Sequence, residues 1–244
     1  MARATRVRWL RTAGLAVVLG LAILVGGWRL SKSRHYQLFG GLVTRVETDQ
    51  RVVALTFDDG PTPAGTDTVL PLLDSLGVRA TFFVTGREMA AHPDEGRRLV
   101  DAGHALGNHS YSHRHMVFHT PGFVRRELEA TDARIRAAGW EGDIAFRPPY
   151  GRRLAVLPWI LRQAGRETLL WDVEPESFPA VAADPERIAE HVAARVRPGS
   201  IVLLHVMVAS RATSREAVPL VVERLRAEGY RFVTVPELLA LRAP

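Results

Sequence analysis

From Arg51 onward, short apolar runs alternate with helix-like segments, and this alternation limits the fold more than any other feature of the chain. The apolar runs fall at 52–57, 80–84, 104–108, 144–147, 168–172, 200–205 and 231–235. Each has the length and β-branched or aromatic content of a buried strand. Helical patterns fill the gaps at 66–76, 93–102, 121–138, 153–164, 185–196, 214–228 and 236–241. The punctuation agrees. Asp184-Pro185 suits an N-cap and first helical residue, and Gly77, Gly103, Gly139, Gly165 and Gly229 follow helical runs. Strands interleaved one by one with helices predict a parallel sheet or barrel rather than a sandwich. In such folds chemistry gathers at the C-terminal ends of the strands.

Five polar clusters occupy those ends. Thr56-Phe57-Asp58-Asp59-Gly60-Pro61 follows the first strand. Alternation along an extended chain would point Asp58 and Asp59 in different directions, one toward a metal and one toward a proton. Asp-Asp-Gly-Pro is also ordinary turn chemistry. Gly107-Asn108-His109-Ser110-Tyr111-Ser112-His113 follows the third strand. His109 and His113, four apart, share a face if the loop enters a helical turn. His115 and His119 have the same spacing, and spacing alone does not choose between the pairs. Phe146-Arg147-Pro148-Pro149-Tyr150-Gly151 gives a proline-stiffened turn able to aim a backbone N–H at an oxyanion. Trp171-Asp172-Val173-Glu174-Pro175-Glu176-Ser177-Phe178 brings aromatic and acidic groups to another strand end. Ile201-Val202-Leu203-Leu204-His205 ends an apolar strand in a histidine placed to act as a general acid. One cluster could be a plain turn or a core histidine; five at separate strand ends share one explanation, a common mouth.

Composition narrows the chemistry. There is no cysteine among the 244 residues, so no thiolate can act as ligand or nucleophile, and any metal must be held by His, Asp or Glu. The net charge of +6 is local to one end. Residues 1–35 hold seven basic residues and no acid, which leaves the rest nearly neutral and gives no nucleic-acid surface. The uncharged run 13–28 predicts a transmembrane signal-anchor helix, after a basic cytoplasmic segment 1–12 and before a juxtamembrane connector 29–50. As a helix the run spans about 24 Å, slightly short of a bilayer core of about 30 Å, with flanking arginines free to snorkel. The arginines on the leading side place the remainder outside the cytoplasm of a bacterium, single-pass at the cytoplasmic membrane. A secreted form after signal cleavage is the alternative, although Val25-Gly26-Gly27 is a poor cleavage site.

Taken in order, the five clusters resemble the motifs of the NodB-type polysaccharide deacetylases, carbohydrate esterase family four, over about residues 51–240. The resemblance implies a distorted (β/α) barrel of about seven parallel strands filling 51–241. It implies Asp59, His109 and His113 as ligands of a divalent metal, most often Zn²⁺. Asp58 would be the base that takes a proton from water, with Arg147 as its partner. The Tyr150 N–H would face the oxyanion, Pro149 and Trp171 would shape the substrate site, Leu203 would line the acetyl pocket, and His205 would protonate the leaving amine. The fourth motif departs from the family: Glu174 takes its first acidic place and is expected to tune His205, while Ser177 and Phe178 replace Asp and Trp.

The expected reaction is hydrolysis of N-acetyl groups on acetamido sugars of an envelope polysaccharide, peptidoglycan first and a chitin-like glycan second. No organic cofactor is needed. Another metal-dependent amidase or esterase on the same scaffold and a non-catalytic glycan-binding protein are the competing expectations. Acetate paired with free amine separates the first from these, and an unchanged phenotype in Asp58→Asn would favour the last.

Overall fold

The computed structural model describes residues 2–242, with side chains from residue 14 onward. The side chains of the basic segment 1–12 lie outside the described residues. Seven strands occur in the order β1 (Leu42–Val43), β2 (Val52–Asp58), β3 (Thr81–Val84), β4 (Ala105–Asn108), β5 (Thr168–Leu169), β6 (Ser200–Leu204) and β7 (Arg231–Phe232). Helices separate most of them, and every ladder between named strands is parallel. β2 is the central stave, pairing with β3 on one side and β6 on the other, with β7 added at its start.

The ring closes through single bridges. Phe146 alone bridges Asn108 of β4 and Thr168 of β5, and Val173 alone bridges Val202 of β6. The strand expected at 144–147 is therefore reduced to one residue. Pro148 and Pro149 have no N–H to offer a ladder, and each restricts the residue before it. The run at 168–172 likewise pairs as a strand only at its first two residues.

Alternation along β2 divides the core. Val53, Leu55 and Phe57 pack outward with Val69, Leu73, Val192, Val218 and Val221 of the surrounding helices. Val52 and Ala54 face inward with Phe83, Leu170, Trp171, Ile201 and Leu203, over Val235 and Leu238 of the helix Val235–Leu239. A parallel strand covered on both sides needs an unbroken apolar run, and every residue of β2 is buried.

The helix ends follow their caps. Asp184 accepts hydrogen bonds from Glu186 N and Arg187 N at the start of Pro185–Ala193. Gly77, at φ +58°, closes Pro63–Leu76 in the left-handed conformation that a Cβ would oppose.

The N-terminal part differs from expectation. A helix runs from Ala2 to Leu30 and contains the uncharged run. Among the described residues, however, no helix is long and apolar enough to cross a membrane. Between Arg11 and Arg29 lie 17 uncharged residues, about 26 Å as a helix and a little less than a bilayer core of about 30 Å. The large apolar side chains from Leu15 to Val25 are more than half exposed. The segment expected as a connector is built into the barrel: Val43 and Val46 are buried, β1 pairs with β5, and Val46 N donates to Gly199 O at 3.0 Å.

Candidate active site

Asp58 is the last residue of β2 and points into the barrel mouth, 2% exposed. Asp59 follows at φ +71°, which breaks the strand alternation. The two carboxylates therefore converge instead of pointing apart: Asp58 Oδ2 lies 3.6 Å and Asp59 Oδ1 4.0 Å from His109 Nε2. A non-glycine residue at positive φ is costly, and four of the five among the described residues, Asp59, Ser110, His113 and Tyr150, stand at this mouth.

The histidines meet without a helical turn. The loop after β4 bends through Ser110 at φ +66° and His113 at φ +57°, bringing the two rings to 5.0 Å. Buried Glu127, on the helix Pro121–Ala137, holds that bend. Its carboxylate accepts from Tyr111 N (3.0 Å), Ser112 N (2.8 Å) and Ser112 Oγ (2.9 Å). Asn108 Oδ1 accepts from Ser110 N at 2.8 Å. His119 instead stacks on Phe123, away from the mouth, and His115 stands on the rim against Tyr150.

Donor chemistry at Asp59, His109 and His113 fits a cation. One ligand atom from each lies within 4.8 Å of the others. His109 Nδ1–H donates to the Arg147 carbonyl at 2.8 Å, which leaves Nε2 as the lone-pair nitrogen facing Asp59. Burial pushes the His109 imidazole down to about 3 against the opposing pull of Asp59, so the ring is neutral. Two imidazoles and a carboxylate suit a borderline divalent ion of the zinc class.

Arg147 lies beneath the mouth, fully buried. Its Nη1 donates to Asp58 Oδ1 (2.6 Å) and Thr56 Oγ1 (2.9 Å), and its Nη2 donates to Leu170 O (3.0 Å). The guanidinium lies 4.0 Å from the Phe83 ring centroid. Burial lowers its pKa and the Asp58 carboxylate opposes that shift. Among the described residues its Nε has no hydrogen-bond partner.

The acid partner of His205 differs from expectation. Glu176, not Glu174, receives the His205 Nδ1–H, and Glu176 Oε1 also accepts from His205 N at 3.1 Å and from Ser214 Oγ. Glu174 turns the other way, accepting from Trp171 Nε1 at 2.9 Å and pairing with Arg34. The cause is local: Pro175 opens a 3-10 turn, Pro175–Ser177, that carries Glu176 toward β6. Burial alone would lower the His205 pKa. The hydrogen bond to Glu176 and the charges of Asp58, Glu176 and Asp59 outweigh burial and hold it above the ordinary value. Burial would raise Glu176, but His205 and Ser214 hold it below the ordinary value, so the two form an ion pair.

Asp58, Asp59, His109, His113, Tyr150, Trp171, Glu174, Leu203 and His205 line one cleft of about 650 Å³. Arg147 lies under its floor, and Pro149, buried, opens the turn that presents Tyr150 at φ +58°. Among the described residues the Tyr150 N–H has no backbone acceptor. Glu127 and Glu176 escaped the sequence pattern. Glu176 lay inside a recognised cluster, and the signal for it was Pro175; Glu127 sat on a helix with nothing to distinguish it from a solvated acid.

A parallel barrel that gathers paired carboxylates, two imidazoles and an acid-paired histidine at the strand ends has the layout of a hydrolase centre. The profile of the polysaccharide deacetylase family matches residues 45–169. The chain is 34% identical over 201 residues to a peptidoglycan-N-acetylglucosamine deacetylase of Bacillus cereus, covering 82% of this chain and 93% of the relative. Its fold superposes on the Bc1960 peptidoglycan N-acetylglucosamine deacetylase with a TM-score of 0.74 at 29% identity, covering 80% of this chain and 91% of that one. It also superposes on BA3943 from Bacillus anthracis, a pseudoenzyme of carbohydrate esterase family four. There the TM-score is 0.73 at 26% identity, over 83% of this chain and 70% of that one. The chain belongs to the polysaccharide deacetylase family, hydrolases of carbon–nitrogen bonds in linear amides.

Proposed function

We propose that this protein removes N-acetyl groups from acetamido sugars of a cell-envelope glycan, peptidoglycan first, in a reaction that depends on a divalent ion at Asp59, His109 and His113. The observation that carries it is the placement of Asp58–Arg147 and His205–Glu176 in one cleft with those three ligating groups. When bound, an ion of the zinc class supplies Lewis acidity toward the amide oxygen and brings the pKa of water toward about 7. Asp58 takes the proton of the attacking water while Arg147 fixes its orientation. The Tyr150 N–H donates to the oxygen that becomes negative. Leu203 and Trp171 wall the acetyl methyl away from solvent. His205, protonated through Glu176, passes its proton to the departing nitrogen, so that amide and water become acetate and amine. An envelope substrate implies that this work is done outside the cytoplasm. The exposed apolar side chains between Leu15 and Val25 support contact of the N-terminal helix with the bilayer.

Likeness to a pseudoenzyme is the one observation favouring a binding-only protein. Both the acid–base pairs and the ligating triad in a single cleft speak against it. The deciding experiment is acetate release from peptidoglycan and from N-acetylglucosamine oligomers by the full chain, with zinc and with chelator. Zinc-dependent release with matching free amine is expected. A zinc-loaded, folded protein that binds these glycans and releases no acetate would establish the binding-only alternative.

Glu176→Gln gives a separate expectation. His205 acts as an acid only while protonated, so the rate falls as pH rises through its pKa. Loss of the Glu176 carboxylate lowers that pKa, and the alkaline limb of kcat/KM moves to lower pH. The loss is expected to be roughly tenfold at pH 8 and much smaller at pH 6. A uniform loss at both values would place Glu176 in folding alone.

A further inference from the structure

The rim of the cleft carries cations that the proposed chemistry does not use. Lys32, Arg34, Arg152 and Arg211 line the same cavity as Asp58 and His109. Arg34 is neutralised by Glu174 and lies 5.2 Å from the Trp171 ring centroid. Among the described residues, no carboxylate forms an ion pair with Lys32, Arg152 or Arg211.

Arg152 is placed by structure. The Arg152 guanidinium lies 3.9 Å from the Trp28 ring centroid, and its Nη1 donates to Ser31 Oγ at 3.5 Å. Ser31 is fully buried, and its carbonyl accepts from Arg153 N at 3.2 Å. Arg153 also donates to Tyr36 O at 3.2 Å and to Gln37 Oε1 at 3.2 Å. The segment after the N-terminal helix is thus docked beside the cleft, to which it contributes Lys32 and Arg34. An isolated surface cation is worth little, but like charges on a concave wall focus a positive potential into it. A cation already held in place, as Arg152 is, also loses less freedom when a ligand arrives.

We propose that Lys32, Arg152 and Arg211 form a subsite for an anionic group, carboxylate or phosphate, carried by the glycan whose acetamide enters the cleft. The proposal rests on the deacetylase reading and adds its substrate class: an acidic glycan in preference to a neutral one.

The test uses the full chain with zinc and three probes. These are a neutral N-acetylglucosamine oligomer, a peptidoglycan fragment bearing peptide carboxylates, and a phosphorylated N-acetylglucosamine oligomer. Binding is measured by calorimetry and acetate release in parallel, for wild type, Arg152→Ala/Arg211→Ala and Arg152→Lys/Arg211→Lys. The Ala pair is expected to weaken an acidic probe about tenfold while leaving the neutral oligomer within about twofold. The effect should shrink with added salt, and the Lys pair should restore most of it. Whichever acidic probe responds identifies the group. Equal changes for neutral and acidic probes, or none, overturn the subsite. So does a Lys pair as weak as the Ala pair, which would assign Arg152 and Arg211 to packing. Unchanged glycan selectivity with weaker binding to phosphatidylglycerol vesicles would give the cations to the bilayer and overturn it as well. Charge-selective binding lost in the Ala pair, with no acetate from any probe, would keep the subsite and remove the deacetylase reading.

Discussion

Asp58→Asn is expected to lower kcat about 10³-fold while zinc stays bound. Asp58 Oδ1 is occupied by Arg147 at 2.6 Å, and an asparagine oxygen can take the same bond. The side chain keeps its shape at the end of β2, and Asp59, His109 and His113 are untouched. What disappears is, among the described residues, the one buried carboxylate on the ligand side of the mouth that can receive the proton of water. Steady-state acetate release, with zinc content of the same preparation by elemental analysis, checks both halves. A variant with near-native turnover would mean that the proton goes elsewhere. A variant without zinc would mean that Asp58 belongs to the ligand set.

The second large effect concerns stability. Arg147→Met is expected to cost about 3–5 kcal/mol, because it leaves the Asp58 carboxylate buried without its counter-charge. Thr56 Oγ1 and Leu170 O also lose a donor. Methionine fills part of the volume between Phe83 and Trp171, so the loss is one of charge more than of packing. Combining Arg147→Met with Asp58→Asn removes the unpaired charge. The double variant should recover part of the stability and none of the activity. Denaturant unfolding of the four proteins gives the coupling directly. A loss below about 1 kcal/mol in Arg147→Met would show that water reaches Asp58 and screens it.

Much of the frame was legible because strand and helix periods differ. β2, β3, β4 and β6 and most helices lie within a few residues of their expected places. The fourth strand was not legible at its true extent, because the prolines that mark its end also remove its hydrogen-bond donors. Likewise, spacing suggested that His109 and His113 could meet, but not that two left-handed residues would bring them together. At the fourth motif, a choice between Glu174 and Glu176 turned on a single 3-10 turn. The cationic wall was the least legible, since Arg34 meets Glu174 across 140 positions of sequence. Local pattern specifies elements; contacts over such a distance are made by the closed barrel.

That closure is uneven, and the unevenness separates two tasks. Asp58, Asp59 and His109 lie on or beside staves joined by full ladders, β2, β3 and β4. Arg147, Tyr150, Trp171 and Glu174 belong to the side stitched by the lone bridges of Phe146 and Val173. The first half must hold its atoms to fractions of an ångström for each turnover. On the second side Arg147 is pinned by its bonds to Asp58, Thr56 and Leu170, so the residues left to meet a bulky sugar are Trp171 and Glu174, which line the cleft. Substitutions at Trp171 or Glu174 are thus expected to change which glycan is accepted, while the reacting centre, Arg147 included, keeps its geometry.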